Sequence, residues 1–414
     1  MPKYIALVGT LDTKGNQIEY VKKKIEEGGQ RTRVIDIGVA GEPPFKPDYD
    51  KHQVAKTAGT SINEILEKGD RRGGLEKMGE GASSILKQMY QKGELSGVLG
   101  FGGSQGTAVV LLIIKTIPLG VPKLVLSTIA YSRVMTPDVV GGIDFIMVPW
   151  VLGLWGLNSL SEQSLETAAG AISGAARNYE KRKLSVKQVV GVSSLGGSVN
   201  RYMYELKPAL EKRGYEVAVS HVLGMPGIMY ERAILDGFIA ASLDLSVGVE
   251  LLNEITDGVY TAGKHRLEAA GQMGIPQIVS PGAIEVFHWG NDRPLPKKYK
   301  DRPGMWHNAL HRTVGSSVKE MAEVGTVIAE KLNKAKGPSA MVLPLQSLGM
   351  AVMPNNPHAS QEAIEISQKG WQWFKKNLIA NLSPKIKYIE LDTTFNDPLY
   401  TKTILELFDE MMKK

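Results

Sequence analysis

Short apolar runs alternate with longer amphipathic ones through the first 180 residues. Residues 4–9 read as a buried strand, 16–27 as a helix and 33–37 as a second strand. Helices are expected over 56–67 and 79–91. A strand at 97–100, a helix at 107–115 and strands at 123–127 and 145–148 follow. Apolar strands separated by helical segments imply a parallel sheet covered by helices on both faces.

A helix over 161–179 runs into the basic stretch Lys181-Arg182-Lys183, which places a domain boundary near residue 182. The pattern then restarts. Strand 188–192, a glycine loop, helix 201–213 and strand 216–221 come first, with further strands at 238–243, 259–261, 277–279, 341–344 and 388–391. Residues 292–305 mix prolines with many charges and read as a surface loop or arm, and 399–411 as the last helix. The expected fold is α/β, two tandem Rossmann-like domains with mostly parallel sheets, over 1–182 and 183–414. Gly102-Gly103-Ser104 and Gly196-Gly197-Ser198 each follow a strand, through a distant duplication or through two independent uses of the same turn chemistry.

Composition narrows the class. With 43% hydrophobic and 22% charged residues in 414, the chain is neither disordered nor fibrous. A net charge of +6 suits anionic small ligands and gives no case for nucleic acid. The absence of cysteine excludes disulfides, thiolate metal sites, iron–sulfur clusters and cysteine nucleophiles. The greasiest stretches, 108–114 and 145–157, fall short of the roughly 18 apolar residues that span a bilayer. Nothing at the start reads as a signal peptide, so a cytoplasmic protein without a membrane partner is expected.

Phe101-Gly102-Gly103-Ser104-Gln105-Gly106-Thr107 carries the strongest chemical signal. Glycines after a strand let backbone amides approach an anion, and the next helix adds a favourable dipole. Ser104 and Thr107 can bond a ligand or cap the helix, and the same loop also suits a tight turn with no ligand. Gly9-Thr10-Leu11-Asp12-Thr13-Lys14-Gly15 is not a Walker A loop, since its order is Lys-Gly. Its Thr10, Asp12, Thr13 and Lys14 nevertheless lie at a strand's carboxyl end, where open α/β sheets hold ligands. Lys14 suits a phosphate, and Asp12 a Mg²⁺-bound water or a ribose hydroxyl, unless Asp12 or Thr13 simply caps the helix. Ser127-Thr128 ends a third strand on the same rim.

In the second half, six of the seven histidines fall between His221 and His358, and His221 ends a strand before Gly224-Met225-Pro226-Gly227. Asp244, Glu250 and Ser280-Pro281-Gly282 follow other strands and add polar groups to that domain's rim. His307 and His311 have helical metal-pair spacing without an acidic third ligand, so zinc is discounted. No Gly-x-Ser-x-Gly elbow supports a hydrolase triad.

The motifs Gly9-Thr10-Leu11-Asp12-Thr13-Lys14-Gly15, Gly38-Val39-x-Gly41-Glu42-Pro43 and Gly102-Gly103-Ser104-x-Gly106-Thr107 occur in order. Val121-Pro122-Lys123, Ser127-Thr128-x-Ala130, Gly263-x-x-Arg266-Leu267-Glu268-Ala269-Ala270 and Ile275-Pro276-Gln277-x-Val279-Ser280-Pro281-Gly282-Ala283 follow. Over nearly its whole length the chain resembles the Tm-1-like ATP-binding family, also called UPF0261. The resemblance implies an N-terminal Rossmann-like domain binding ATP with Mg²⁺, a second α/β domain and a homodimer. It carries ATP contacts to Thr10, Asp12, Thr13 and Lys14, to Gly102, Gly103, Ser104, Gly106 and Thr107, and to Ser127 and Thr128. The chain departs from the family pattern at Gln105, at Tyr131-Ser132 and at His311.

Three functions remain open at this stage. The first is an ATP-dependent enzyme with a small metabolite in the inter-domain cleft. There His221 would serve as base and Arg312 as an oxyanion or phosphate clamp, with Glu231 and His307 as further polar candidates. The second is a nucleotide-dependent regulatory or binding protein without turnover. The third is an enzyme whose glycine loops hold a substrate anion and no ATP.

Overall fold

A computed structural model describes residues 2–181, 187–195, 201–346 and 360–413, without the side chains of Arg71 and Asp138. Arg182, Lys183, Gly196-Gly197-Ser198 and His358, all part of the sequence reading, lie outside the described residues. The chain divides into two units, Met1–Leu184 and Ser185–Lys414.

Unit 1 runs β1 (Tyr4–Gly9), α1 (Leu11–Glu27), β2 (Thr32–Asp36), α2 (Lys51–Thr57), α3 (Ile62–Glu67), α4 (Arg71–Gln91) and β3 (Leu95–Gly102). It continues α5 (Ser104–Ile114), β4 (Lys123–Ser127), α6 (Pro137–Val140), β5 (Ile146–Pro149) and α7 (Ser159–Lys181). The five strands are all parallel in the order β2-β1-β3-β4-β5. Burial on both faces explains the unbroken apolar strands. Ile5 and Leu7 pack with Ile18, Val21 and Ile172 of α1 and α7, while Ala6 and Val8 pack with Val54, Met78 and Val110 of α2, α4 and α5. The expected helix over 56–67 is two helices. Gly59 takes a positive φ of 73°, and Ser61 starts α3 through a capping box with Glu64. The helix expected from Thr107 begins earlier, at Ser104, with Gly103 as its N-cap.

Unit 2 runs β6 (Val189–Ser194), α8 (Met203–Lys212), β7 (Glu216–His221), α9 (Met225–Leu235), β8 (Ala241–Asp244), α10 (Gly248–Thr256), α11 (Ala269–Met273) and β9 (Gln277–Val279). Next come β10 (Val286–Gly290), β11 (His311–Gly315), α12 (Val318–Asn333), β12 (Ser339–Pro344), α13 (Gln361–Asn381), β13 (Lys387–Leu391) and α14 (Pro398–Met412). Six parallel strands take the order β13-β12-β9-β8-β6-β7. The fold is therefore the α/β arrangement expected, two Rossmann-like units with mostly parallel sheets.

Two expectations in unit 2 fail for local reasons. Residues 259–261 form no strand; the Val259 amide donates instead to the His288 carbonyl at 2.9 Å. The proline-containing stretch 292–305 is more than a surface arm, because it carries a short 3₁₀ turn, Lys297–Tyr299. Tyr299 is buried there against Phe287 and Trp289 of β10. The antiparallel pair β10–β11 holds the two ends of this excursion together.

Candidate functional site

The sheet order of unit 1 reverses direction between β1 and β3, and open α/β sheets leave a crevice at the carboxyl ends of such a strand pair. A cavity of about 690 Å³ lies there. Thr10, Asp12, Thr13 and Lys14 from the β1–α1 junction line it, with Gly103, Ser104, Gln105 and Gly106 from β3–α5, and Thr128 after β4. Val39, Ile65, Leu66 and Leu75 supply an apolar wall. Three strand ends named from the sequence thus share one cleft.

The loops reach the cleft by distinct means. At Gly102 an added Cβ would lie 2.1 Å from the Thr107 amide nitrogen, so only glycine lets the strand turn so tightly into α5. At Gly103 the same atom would meet only the Thr128 hydroxyl, at 3.8 Å, which leaves that backbone open to the cavity. The amides of Ser104, Gln105 and Gly106, the first three of α5, find no acceptor among the described residues. They form the positive end of the helix dipole. Gln105 is exposed and lines the cavity, so its side chain has room there.

Not every named residue faces the cleft. Gly102, Thr107 and Ser127 are buried behind it, where the Thr107 and Ser127 hydroxyls lie 2.7 Å apart and Ser127 Oγ accepts from the Ile129 amide at 3.1 Å. They hold the loops rather than meet a ligand. Thr10 and Thr13 hydroxyls, also 2.7 Å apart, stand at the cleft. Thr10 is the N-cap of α1 without a side-chain capping bond, and Asp12 and Thr13 lie inside the helix, so neither is its N-cap.

Three charged groups stand out. Asp12 Oδ2 accepts from the Ala40 amide at 3.2 Å, whereas Oδ1 is buried with no partner among the described residues. Asp36, deeper in, accepts from the Leu11 and Gly38 amides at 3.0 and 2.8 Å, and burial pushes its carboxyl up from its ordinary range. Lys14 is nearly buried, and its ammonium donates to the Gly153 carbonyl at 3.3 Å and to the Leu154 carbonyl, above the ring of Trp150. Burial lowers its pKa. The phosphate role given to Lys14 meets a cation already engaged by loop carbonyls.

The second-unit candidates do not assemble into one site. Glu231 is a buried structural carboxylate. It accepts from the Leu267, Glu268 and Ala269 amides at 2.8, 3.1 and 2.7 Å and from Arg266 at 2.8 Å. Arg266 is itself sealed from solvent and bonds Asp244 and Glu250 as well, so these rim candidates are interior ion pairs. In the sequence Arg266 stands out only as part of the motif Gly263-x-x-Arg266-Leu267-Glu268-Ala269-Ala270. A lone arginine beside Leu267, Ala269 and Ala270 signals a buried cation that needs carboxylates. His221 is exposed at the end of the edge strand β7, with Nε2 3.2 Å from the Leu195 carbonyl.

His307 and His311 do not share a helix. His311 begins β11 and His307 lies in the preceding loop, their rings stacked with centroids 4.9 Å apart. His311 Nδ1 lies 3.0 Å from the Tyr260 hydroxyl, and His288 adds a third ring 5.3 Å from His311. No group of three or more histidines and carboxylates among the described residues is placed to hold a metal ion. Arg312 lies on the same strand, its guanidinium 5.9 Å from the centroid of the Trp306 ring. Among the described residues no helix is long and apolar enough to cross a membrane.

Residues 3–181 match the model described as the uncharacterised protein family (UPF0261) N-terminal domain, and residues 187–412 match that of its C-terminal domain. A UPF0261 protein of Brucella suis biovar 1 (strain 1330) is 36% identical over 406 residues, 98% of this chain and 94% of the relative. A UPF0261 protein of Clostridium tetani (strain Massachusetts / E88) is 33% identical over 100% of both chains. The ToMV resistance protein Tm-1 of Solanum lycopersicum is 27% identical over 342 residues, 81% of this chain but 44% of that protein.

Proposed function

This chain belongs to the UPF0261 family, and from that premise we propose that unit 1 binds ATP as its Mg²⁺ complex in the cleft between β1 and β3. One observation carries the reading: Asp12 and the first three residues of α5, whose amides find no acceptor among the described residues, line a single cavity. The phosphates would take the amides of Ser104 to Gly106 and the hydroxyls of Thr10, Thr13 and Thr128. The base would lie on the wall of Val39, Ile65, Leu66 and Leu75. Mg²⁺ prefers one or two carboxylates together with phosphate oxygens and water, and Asp12 offers one such carboxylate. In this reading Mg²⁺ supplies charge neutralisation, and the chain's own residues orient the phosphates and exclude water from one face.

Calorimetric titration with ATP, with and without Mg²⁺ and against inorganic phosphate, tests the assignment. Saturable binding that needs both the triphosphate and Mg²⁺ supports it. An equal response to phosphate alone would recast the loops as a substrate-anion site, and no response to either would discard the nucleotide.

A further inference from the structure

Residues 150–157 leave β5 and pass the mouth of the cleft, to which Leu154 contributes. The loop is apolar and poorly covered. Leu152 and Leu154 are largely exposed, and Trp155 is 93% exposed. Its middle is held by polar bonds from α1: Lys14 donates to the Gly153 and Leu154 carbonyls, and Gln17 Nε2 donates to the Gly156 carbonyl at 3.1 Å. Its backbone is taut, with Leu152 at a φ of 48°. An added Cβ at Gly153 would lie 1.8 Å from Trp150 Nε1. That indole nitrogen is buried and lacks an acceptor among the described residues, so the arrangement leaves a polar group unsatisfied beneath the loop.

We propose that Lys14 is a latch that couples anion binding in the cleft to release of the loop at 150–157. The inference rests on the nucleotide reading of the same site. An ammonium with two neutral carbonyls and an aromatic face exchanges them for a phosphate, because a full opposite charge outweighs carbonyl dipoles in a partly dry cleft. Lys14 already lines the cavity, beside Thr10 and Thr13. Once the two carbonyls are freed, the loop keeps Gln17, the bond from Asn158 Nδ2 to the Leu152 carbonyl and that from the Val151 amide to the Ser164 hydroxyl, and the segment between them that bears Trp155 is loosened. Occupancy of the cleft would thereby alter an exposed apolar segment.

Hydrogen–deuterium exchange on the full chain, followed in peptides covering 150–158, decides the matter. In the wild type saturated with MgATP, as established by calorimetry, exchange of this segment should rise about fivefold or more. Lys14→Met, which keeps the apolar stem, should show the same rise without nucleotide and no further response to it. Lys14→Arg, which keeps the charge, should stay near wild type. Unchanged exchange in the saturated wild type, or a Lys14→Met protein whose loop exchanges at the wild-type rate, overturns the proposal. If calorimetry detects no nucleotide binding, the reading of the cleft and the release step fall together. The latch itself then stands or falls on Lys14→Met alone.

Discussion

The hydroxyls of Thr107 and Ser127 lie 2.7 Å apart, both residues sealed from solvent, and join the start of α5 to the end of β4. Beside them the Thr128 amide donates to the Gly102 carbonyl at 3.1 Å. Two of the three cleft loops are thus fastened to one another behind the ligand surface. Thr107→Val keeps the side-chain shape and removes that hydroxyl, leaving Ser127 Oγ short of a partner. Unfolding by urea should show a loss of about 1–3 kcal/mol. Nucleotide affinity should fall only modestly, since the bond from the Thr128 amide to the Gly102 carbonyl still ties the two loops.

Gly102 and Gly103 are neighbours with opposite constraints. Alanine at 102 would drive its Cβ into the backbone of α5, so Gly102→Ala should destabilise unit 1 as judged by its melting temperature. At Gly103 the φ is an ordinary −76° and the space is open, so Gly103→Asp should fold normally. Its carboxylate would nonetheless stand where phosphate is expected, and nucleotide binding should vanish. A Gly103→Asp protein with unaltered affinity would place the nucleotide elsewhere.

The strands of unit 1 were legible because burial on both faces forces continuous apolar runs such as Ile5 to Val8. The cleft loops were legible because glycine at a strand end marks a tight turn into a helix, as Gly102 makes into α5. Partners remote in sequence were not. Lys14 looked like a phosphate ligand because the carbonyls it bonds lie about 140 residues further on, in a loop without a motif. Glu231 stood among the polar candidates because its partners, Arg266 and three amides, lie 35 to 38 positions away. The spacing of His307 and His311 misled for another reason: four residues apart is also the reach of a loop that turns back onto a strand, as the His307 amide donating to the His311 carbonyl shows.

Two buried groups in unit 2 give opposite pH dependences. Burial pushes Glu250 up to about 7 against the pull of Arg266, with Asp244 adding to the rise. Between its ordinary value near 4.5 and about 7, the folded chain keeps a proton that the unfolded chain has lost, so this group makes stability fall as pH rises. Burial, with His311 and His307 nearby, pushes His288 down to about 3. Between there and 6.5 the unfolded chain holds the extra proton, so stability rises with pH, and His311, also lowered by burial, adds in the same sense. Each proton is worth at most about 1.4 kcal/mol per pH unit. In Glu250→Gln the falling contribution disappears, and the variant should gain on the wild type steadily from pH 4.5 to 7. Urea midpoints across that range read it directly, and parallel curves would refute the role given to Glu250.

Asp12 offers the most specific test of the metal. Gly38 brings the loop after β2 so close that an added Cβ there would lie 3.0 Å from both Asp12 Oδ1 and Asp36 Oδ1. The two carboxylates therefore share one confined region, and Asp12 helps to raise the pKa of Asp36. A divalent cation at Asp12 relieves that repulsion, while the Ala40 amide needs only a carbonyl-type oxygen. Asp12→Asn supplies that oxygen without the charge. The variant should melt at or slightly above the wild-type temperature, because a like-charge contact has gone. Its affinity for ATP without Mg²⁺ should be unchanged or slightly higher. With Mg²⁺ it should bind about ten- to a hundredfold more weakly than wild type, the size expected for a lost charge-assisted contact of about 1.5–3 kcal/mol. If instead the variant keeps the full Mg²⁺ enhancement, the cation is bound by the nucleotide alone, and Asp12 is only an anchor for the loop at Ala40.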